Sequence, residues 1–156
     1  MTPEKPAPTL EQLARYADAF NTSETLKHFG VRVFFPDLAT CEVVLDPVLP
    51  AQRGGLGSDA VNGGVLAAMF DLVLGCAPAL VDPARRSATV QLSLNFLRAV
   101  RGDRVVARSR VTRAGETLVF AEAQLFDATG ELCATATGLS RRSSLPWAAD
   151  GTPAIN

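Results

Sequence analysis

The sequence predicts an α+β fold in which one curved antiparallel sheet wraps a single apolar helix. The longest apolar run, Val61 to Val81, carries only one charged residue, Asp71, and reads as a buried helix. After Ser87 the character changes to four runs that alternate apolar and polar residues: 89–97, 104–111, 118–126 and 132–140. The breaks between them, Arg101-Gly102-Asp103, Ala114-Gly115-Glu116 and Asp127 to Glu131, are short and contain glycine. Short turns join antiparallel neighbours, because parallel strands need a long crossover.

In chain order, Met1 to Pro8 are proline-rich and expected to be loose. Thr9, followed by Glu11 and Gln12, is a capped start. Leu10, Leu13, Tyr16, Ala17 and Phe20 then recur at helical spacing, so an amphipathic helix is predicted to about Phe20. Thr22 and Ser23 cap a short turn through Leu26 to His28, which Gly30 ends. Val31 to Phe35 and Ala39 to Leu45, rich in β-branched and aromatic residues, make a hairpin around Pro36-Asp37. Pro47 to Ala60 holds two prolines and three glycines and is predicted as loop. The helix follows, Asn62 to Leu80, with Pro78 and Pro83 at its far end. The four later strands are expected as a meander, and the tail from Ser143 as irregular. The expected divisions are an N-terminal flexible segment and helix (1–29), the sheet-and-helix domain (30–142) and an irregular tail (143–156).

At 156 residues the chain is one domain, long enough to bury a core. Its net charge of −1 lacks the basic excess of a nucleic-acid module. Cys41, Cys76 and Cys133 are too scattered for a metal or redox motif, and a reducing compartment is the simplest reading. The first residues show no apolar run behind a basic start, so no signal peptide is expected. Asn62, Gly63, Gly64, Asp71 and Pro78 interrupt the apolar helix too often for a comfortable membrane span. A cytoplasmic protein is expected.

A lone carboxylate buried among Met69, Phe70, Leu72, Val73 and Leu74 would need a partner or a raised pKa. Asp71 is therefore the leading candidate functional residue. The plainer alternative puts it on the helix's one wet stripe. Just before the helix stands Asn62-Gly63-Gly64. Asn62 is a good N-cap, and the glycines leave the first-turn amides unobstructed. Free N–H groups at a helix N-terminus suit a carbonyl oxygen that becomes an oxyanion. Gly63 and Asp71 are ~12 Å apart along a helix, too far to act on one carbonyl, which requires approach to about 3–3.5 Å. Two copies with antiparallel helices would bring each Gly63 to the partner's Asp71, so a two-fold dimer with shared sites is predicted.

Gly63-Gly64, then Asp71, then Leu74-Gly75, with Leu94-Asn-Phe-Leu-Arg-Ala-Val-Arg-Gly-Asp further on, resembles the PaaI-like hot-dog acyl-CoA thioesterases. The likeness runs from about Gly30 to Arg142. It implies a hot-dog fold, a homodimer that often pairs again into a tetramer, and thioester hydrolysis. It also places the acidic catalyst on Asp71, the carbonyl-polarising amide on Gly63, and a water-placing hydroxyl on Thr89. The expected substrate is a small or medium acyl- or aryl-CoA, with coenzyme A present only as part of the substrate and no metal or other cofactor. The family often has His where this chain has Asn62, and Asn where it has Leu56; Asn62 is the candidate to supply the side-chain hydrogen bond.

Gly64 joins the substrate site as the second glycine. Eight arginines against one acid, Asp103, lie between Arg85 and Arg113. Arg98, Arg101 and Arg113 are the candidates to meet the phosphates of coenzyme A, since guanidinium suits bidentate phosphate contacts. Arginines on the outer face of a strand also keep it soluble. Phe96, Phe120 and Phe126 are expected in the core, and Trp147 in the tail. His28, the only histidine, lies outside the central loop and helix, which disfavours a dehydratase. The alternative from another class is a non-catalytic acyl-CoA-binding or sensing hot-dog protein.

Overall fold

The computed structural model describes residues 6–55 and 57–146. The expectations for residues 1–5, Leu56, Trp147 and the rest of the tail fall outside them. Helix α1 spans Leu10–Asn21 and opens with a capping box, Thr9 accepting from the Gln12 amide while Gln12 Oε1 accepts from the Thr9 amide. Helix α2, Glu24–Phe29, is capped by Ser23 and closed by Gly30 at φ +71°, the left-handed turn that glycine adopts without strain. Strands β1 (Val31–Phe34) and β2 (Cys41–Leu45) form the predicted hairpin. Helix α3 runs Gly63–Cys76 and tightens into a 3-10 turn over Ala77–Leu80, where Pro78 withholds an amide. Strands β3 (Arg85–Phe96), β4 (Val105–Ala114), β5 (Leu118–Phe126) and β6 (Leu132–Pro146) complete the fold.

All six strands join one antiparallel sheet in the order β1-β2-β4-β5-β6-β3. The sheet curls round α3, and the expected α+β hot-dog architecture is present. The meander is not. Strand β3 pairs with β6 and lies at the sheet's edge, away from β4. The segment between β3 and β4 does not close a hairpin because its carbonyls serve the 47–61 loop. Val100 O accepts from Val61 N–H at 2.9 Å and Asp103 O from Val48 N–H at 2.8 Å. Strand β6 runs to Pro146, four residues beyond the expected limit, because β3 begins at Arg85 and supplies a partner there.

Leu66, Met69, Phe70, Val73 and Leu74 of α3 fill the concave side with Val33, Val43, Val105, Ala123, Leu125 and Ala134 from the sheet. Three serines anchor the helix's last turn. Ser109 Oγ donates to Val73 O at 2.7 Å, Ser140 Oγ to Leu74 O at 3.4 Å and Ser87 Oγ to Gly75 O at 2.8 Å. Four residues past Leu74 stands Pro78, which has no N–H to give its carbonyl, and the serines supply donors along this turn. Gly138 gives Leu74 room: a Cβ there would lie 3.1 Å from Leu74 Cδ1. The end of α3 is thus fixed against β3, β4 and β6 together.

Helices α1 and α2 add Leu13, Ala17 and Leu26 to the same core. Asn21 completes the exposed sheet edge, its Nδ2 donating to Val33 O at 2.9 Å and its Oδ1 accepting from Val33 N–H at 2.8 Å. A side chain here takes the place of a seventh strand and blunts the edge. Phe70 is fully buried at the centre of the core. Phe70→Ala is expected to cost about 3–5 kcal/mol through lost burial and a residual cavity, measured by urea unfolding at unchanged slope.

Candidate active site

Asn62 enters α3 with φ −62° and ψ 136°, and its own amide is held by Gln52 O at 2.9 Å. Its Oδ1 accepts from Gly64 N–H at 2.8 Å, and its carbonyl accepts from Val65 and Leu66 at 3.0 and 3.1 Å. The Gly63 N–H is left without an acceptor among the described residues, on an exposed residue at the positive end of the helix dipole. The Asn62 side chain is committed through its oxygen to capping, which leaves its Nδ2 as the group able to donate. The Gly64 amide is occupied.

Asp71 is exposed, against the expectation that it is buried. The reason is the curl of the sheet: it covers one side of α3 and leaves a stripe open. Gly63, Gly64 and Asp71 are exposed on that stripe, with Ala67, Ala68 and Gly75 half-buried. The apolar neighbours that suggested burial, Met69, Phe70, Val73 and Leu74, are buried in the core while Asp71 is not. The wet-stripe alternative therefore describes Asp71 in the single chain.

Strand β3 runs antiparallel to α3 beside this stripe. Thr89 Oγ1 lies 3.2 Å from where a Cβ on Gly75 would stand, one turn past Asp71. Phe96 lies at the other end, its Cζ 3.8 Å from the same point on Gly63. Thr89 thus flanks the Asp71 end of the stripe and Phe96 the Gly63 end. Within one chain the two ends stay about 12 Å apart. One edge of β3 pairs with β6; the other has no strand beside it among the described residues. Val90 and Phe96 are more than half exposed along this strand. The expectation that Phe96 and Phe120 fill the core fails: Phe96 lies on the open edge strand, Phe120 is 40% exposed, and Phe126 is half-buried.

The arginines are largely neutralised by acids distant in sequence. Arg108 faces Glu42 at 2.5 Å and Arg110 faces Glu122, each pair directly opposite across neighbouring strands. Arg104 pairs with Asp46 at 2.8 Å, Arg98 with Glu131 and Arg101 with Asp59. Arg113 is exposed on β4 and has no ion pair among the described residues. Sequence reading missed Gln52 and Arg53, whose signal was only two long polar side chains inside a proline- and glycine-rich loop. Gln52 is buried, donating to Phe29 O at 2.6 Å and accepting from Leu49 N–H at 2.7 Å. No group of three or more His, Cys, Asp or Glu among the described residues could hold a metal.

The family model for the thioesterase superfamily matches residues 59–134, from the approach to α3 into β6. A Saccharolobus solfataricus protein described as a "putative esterase" is 31% identical over 87 residues, 56% of this chain and 59% of that one. The chain spans about three fifths of the length of the curated relatives it matches. Among solved structures, the PaaI protein from the phenylacetic acid degradation operon of E. coli superposes with a TM-score of 0.78 at 16% identity, over 89% of this chain and 99% of that one. A Shewanella oneidensis protein related to the thioesterase superfamily gives 0.77 at 23% identity, over 85% and 96%. These two likenesses are of fold. The family match runs over α3 and the strands that follow it, just under half of the chain, and over that part the chain is similar to the thioesterase superfamily.

Proposed function

We propose that this chain is an acyl-CoA thioesterase, hydrolysing a small or medium acyl- or aryl-CoA to the free acid and coenzyme A. The observation that carries the reading is the free Gly63 N–H on the same open stripe as an exposed Asp71. The competent unit is a homodimer in which Gly63 of one subunit and Asp71 of the other share a site; the strand-free edge of β3 and the apolar residues along it favour a second copy on this face. The thioester oxygen accepts from the Gly63 amide, assisted by Asn62 Nδ2. Asp71 removes a proton from water as the hydroxyl oxygen bonds to the carbonyl carbon, with Thr89 Oγ1 orienting that water. Collapse breaks the C–S bond, and the thiolate leaves and takes a proton. Alternatively the Asp71 carboxylate attacks directly, and water then hydrolyses the mixed anhydride.

Thiolate is a good enough leaving group that no metal is required. Arg113 is the arginine best placed to meet a phosphate without first losing an acid. Arg98 and Arg101 would exchange surface ion pairs, which are worth only about 0.2–1 kcal/mol. Free, buried cysteines suit a reducing cytoplasm.

The test is thiol release from a panel of short, long and aromatic acyl-CoAs, followed with a disulfide reagent. The protein's own thiols are expected to stay silent. Burial pushes the Cys76 thiol up to about 12 and raises Cys41 and Cys133 as well, so all three remain protonated at assay pH. Native protein is expected to give a flat baseline and denatured protein three thiols. Binding of acyl-CoA without turnover across the panel would favour a sensor.

A further inference from the structure

The long loop that precedes α3 is tied down by one side chain. The Arg53 guanidinium donates through Nη1 to Asp59 O at 2.8 Å and to Gly102 O at 3.2 Å, and through Nη2 to Asp103 Oδ1 at 2.7 Å. It therefore joins the two arms of the 53–61 loop to the β3–β4 connection. Backbone bonds close the same base: Arg53 bridges Val61, and Gly54 N–H donates to Ala60 O at 2.6 Å. Val61 N–H reaches Val100 O and Asn62 N–H reaches Gln52 O, both at 2.9 Å. The Arg53 side chain is 23% exposed and its Asp103 partner 82%, so the guanidinium itself is mostly covered while the acid end of the clamp lies in water.

We infer that Arg53 is a positioning residue for the Gly63 amide. This rests on the thioesterase reading of the site. Every hydrogen bond of the Arg53 side chain goes to a residue within a few positions of Asn62 or on the segment that holds Val61. None lies on the α3 stripe itself, so it acts through the backbone. Three acceptors in different directions need the planar fork of a guanidinium; a lysine ammonium could keep the Asp103 pair but not both carbonyls in the same geometry. If the loop base relaxes, the Gly63 N–H shifts relative to the carbonyl it polarises. A misplacement of ~1 Å can cost about 10²-fold in rate.

The experiment compares Arg53→Met, Arg53→Lys and Arg53→Ala with Arg110→Met, which loses a cross-strand ion pair on the outer face. Two readouts are taken: hydrogen exchange of the peptide covering residues 59–66, and kcat and KM on the best acyl-CoA. Arg53→Met is expected to speed exchange there at least tenfold and to lower kcat by about 10²-fold with KM changed little. Arg53→Lys is expected to fall between, Arg53→Ala to regain rate with added guanidinium ion, and Arg110→Met to match the unsubstituted chain. Unchanged exchange in a folded Arg53→Met overturns the clamp whatever the protein's activity. Faster exchange with unchanged kcat overturns the positioning role, as does a rate loss that follows the melting temperature and that guanidinium does not restore. Absence of turnover in the unsubstituted chain is a separate result: it removes the thioesterase reading and with it the positioning role, while exchange still decides whether the clamp exists.

Discussion

Asp71→Asn is expected to reduce thioester turnover by about 10³-fold while leaving the fold and acyl-CoA binding in place. The carboxylate is the only charged group on α3, and the proposed chemistry gives it the proton transfer or the nucleophilic attack. Asparagine keeps its shape and removes both abilities. Because Asp71 is exposed in the single chain, the core loses nothing, and stability should move within about 0.5 kcal/mol. The measurement is kcat from thiol release, with a thermal melt as control and calorimetric titration against a non-hydrolysable acyl-CoA thioether for binding. Retained turnover in Asp71→Asn would remove Asp71 from the chemistry. Single turnover in ¹⁸O-water then separates the two mechanisms for the unsubstituted protein. Direct attack, with water opening the anhydride at the Asp71 carbonyl, leaves the label in the Asp71 carboxylate and none in the first product acid; water activation leaves it only in the product acid.

The helix that carries Asp71 was legible because apolar residues outnumber everything else from Val61 to Val81 and the strands alternate with period two. Strand order was less so. The Arg101-Gly102-Asp103 turn looks like the tip of a hairpin, and Gly102 does adopt φ +89°. Yet the residues round it bond to a loop some 50 positions earlier, which local pattern does not record. The burial of Asp71 was misread for a related reason. The apolar residues at 69, 70, 73 and 74 are packed into the core while Asp71 is exposed, so they say how well the helix is anchored and nothing about the stripe beside them.

The arginine-rich stretch shows the same limit from the electrostatic side. Counted along the chain it is strongly basic. In the fold, Glu42, Asp46, Asp59, Glu122 and Glu131 come from other strands and loops to meet it. Cross-strand pairing explains Arg108 and Arg110 without any ligand. The serines at 87, 109 and 140 were equally silent in sequence, since each is an ordinary polar residue of an alternating strand. Only the helix end, with carbonyls to satisfy, gives them a common purpose.

Gly63→Pro is expected to lower kcat by about 10²–10³-fold by deleting the one amide proton assigned to the thioester oxygen. Proline at this position is a mild change in every other respect. Gly63 is the first helical residue, where the missing N–H has no intrahelical role and a fixed φ near −65° suits the helix. Asn62, at ψ 136°, already has the extended backbone that a following proline requires. The nearest side-chain atom to an added Cβ, Phe96 Cζ at 3.8 Å, is at ordinary contact distance. A Gly63→Ala control retains the amide and meets the same Phe96 contact, so it separates loss of the proton from added bulk. Mixing Gly63→Pro with Asp71→Asn then tests whether the site is shared. Each homodimer lacks one half of both its sites. In a heterodimer the two lesions fall together on one site, and the other site is left intact. Random reassociation of equal amounts should therefore restore about a quarter of the unsubstituted activity. If each site were built within one chain, no mixture would recover anything, and the dimer would be left without a catalytic reason.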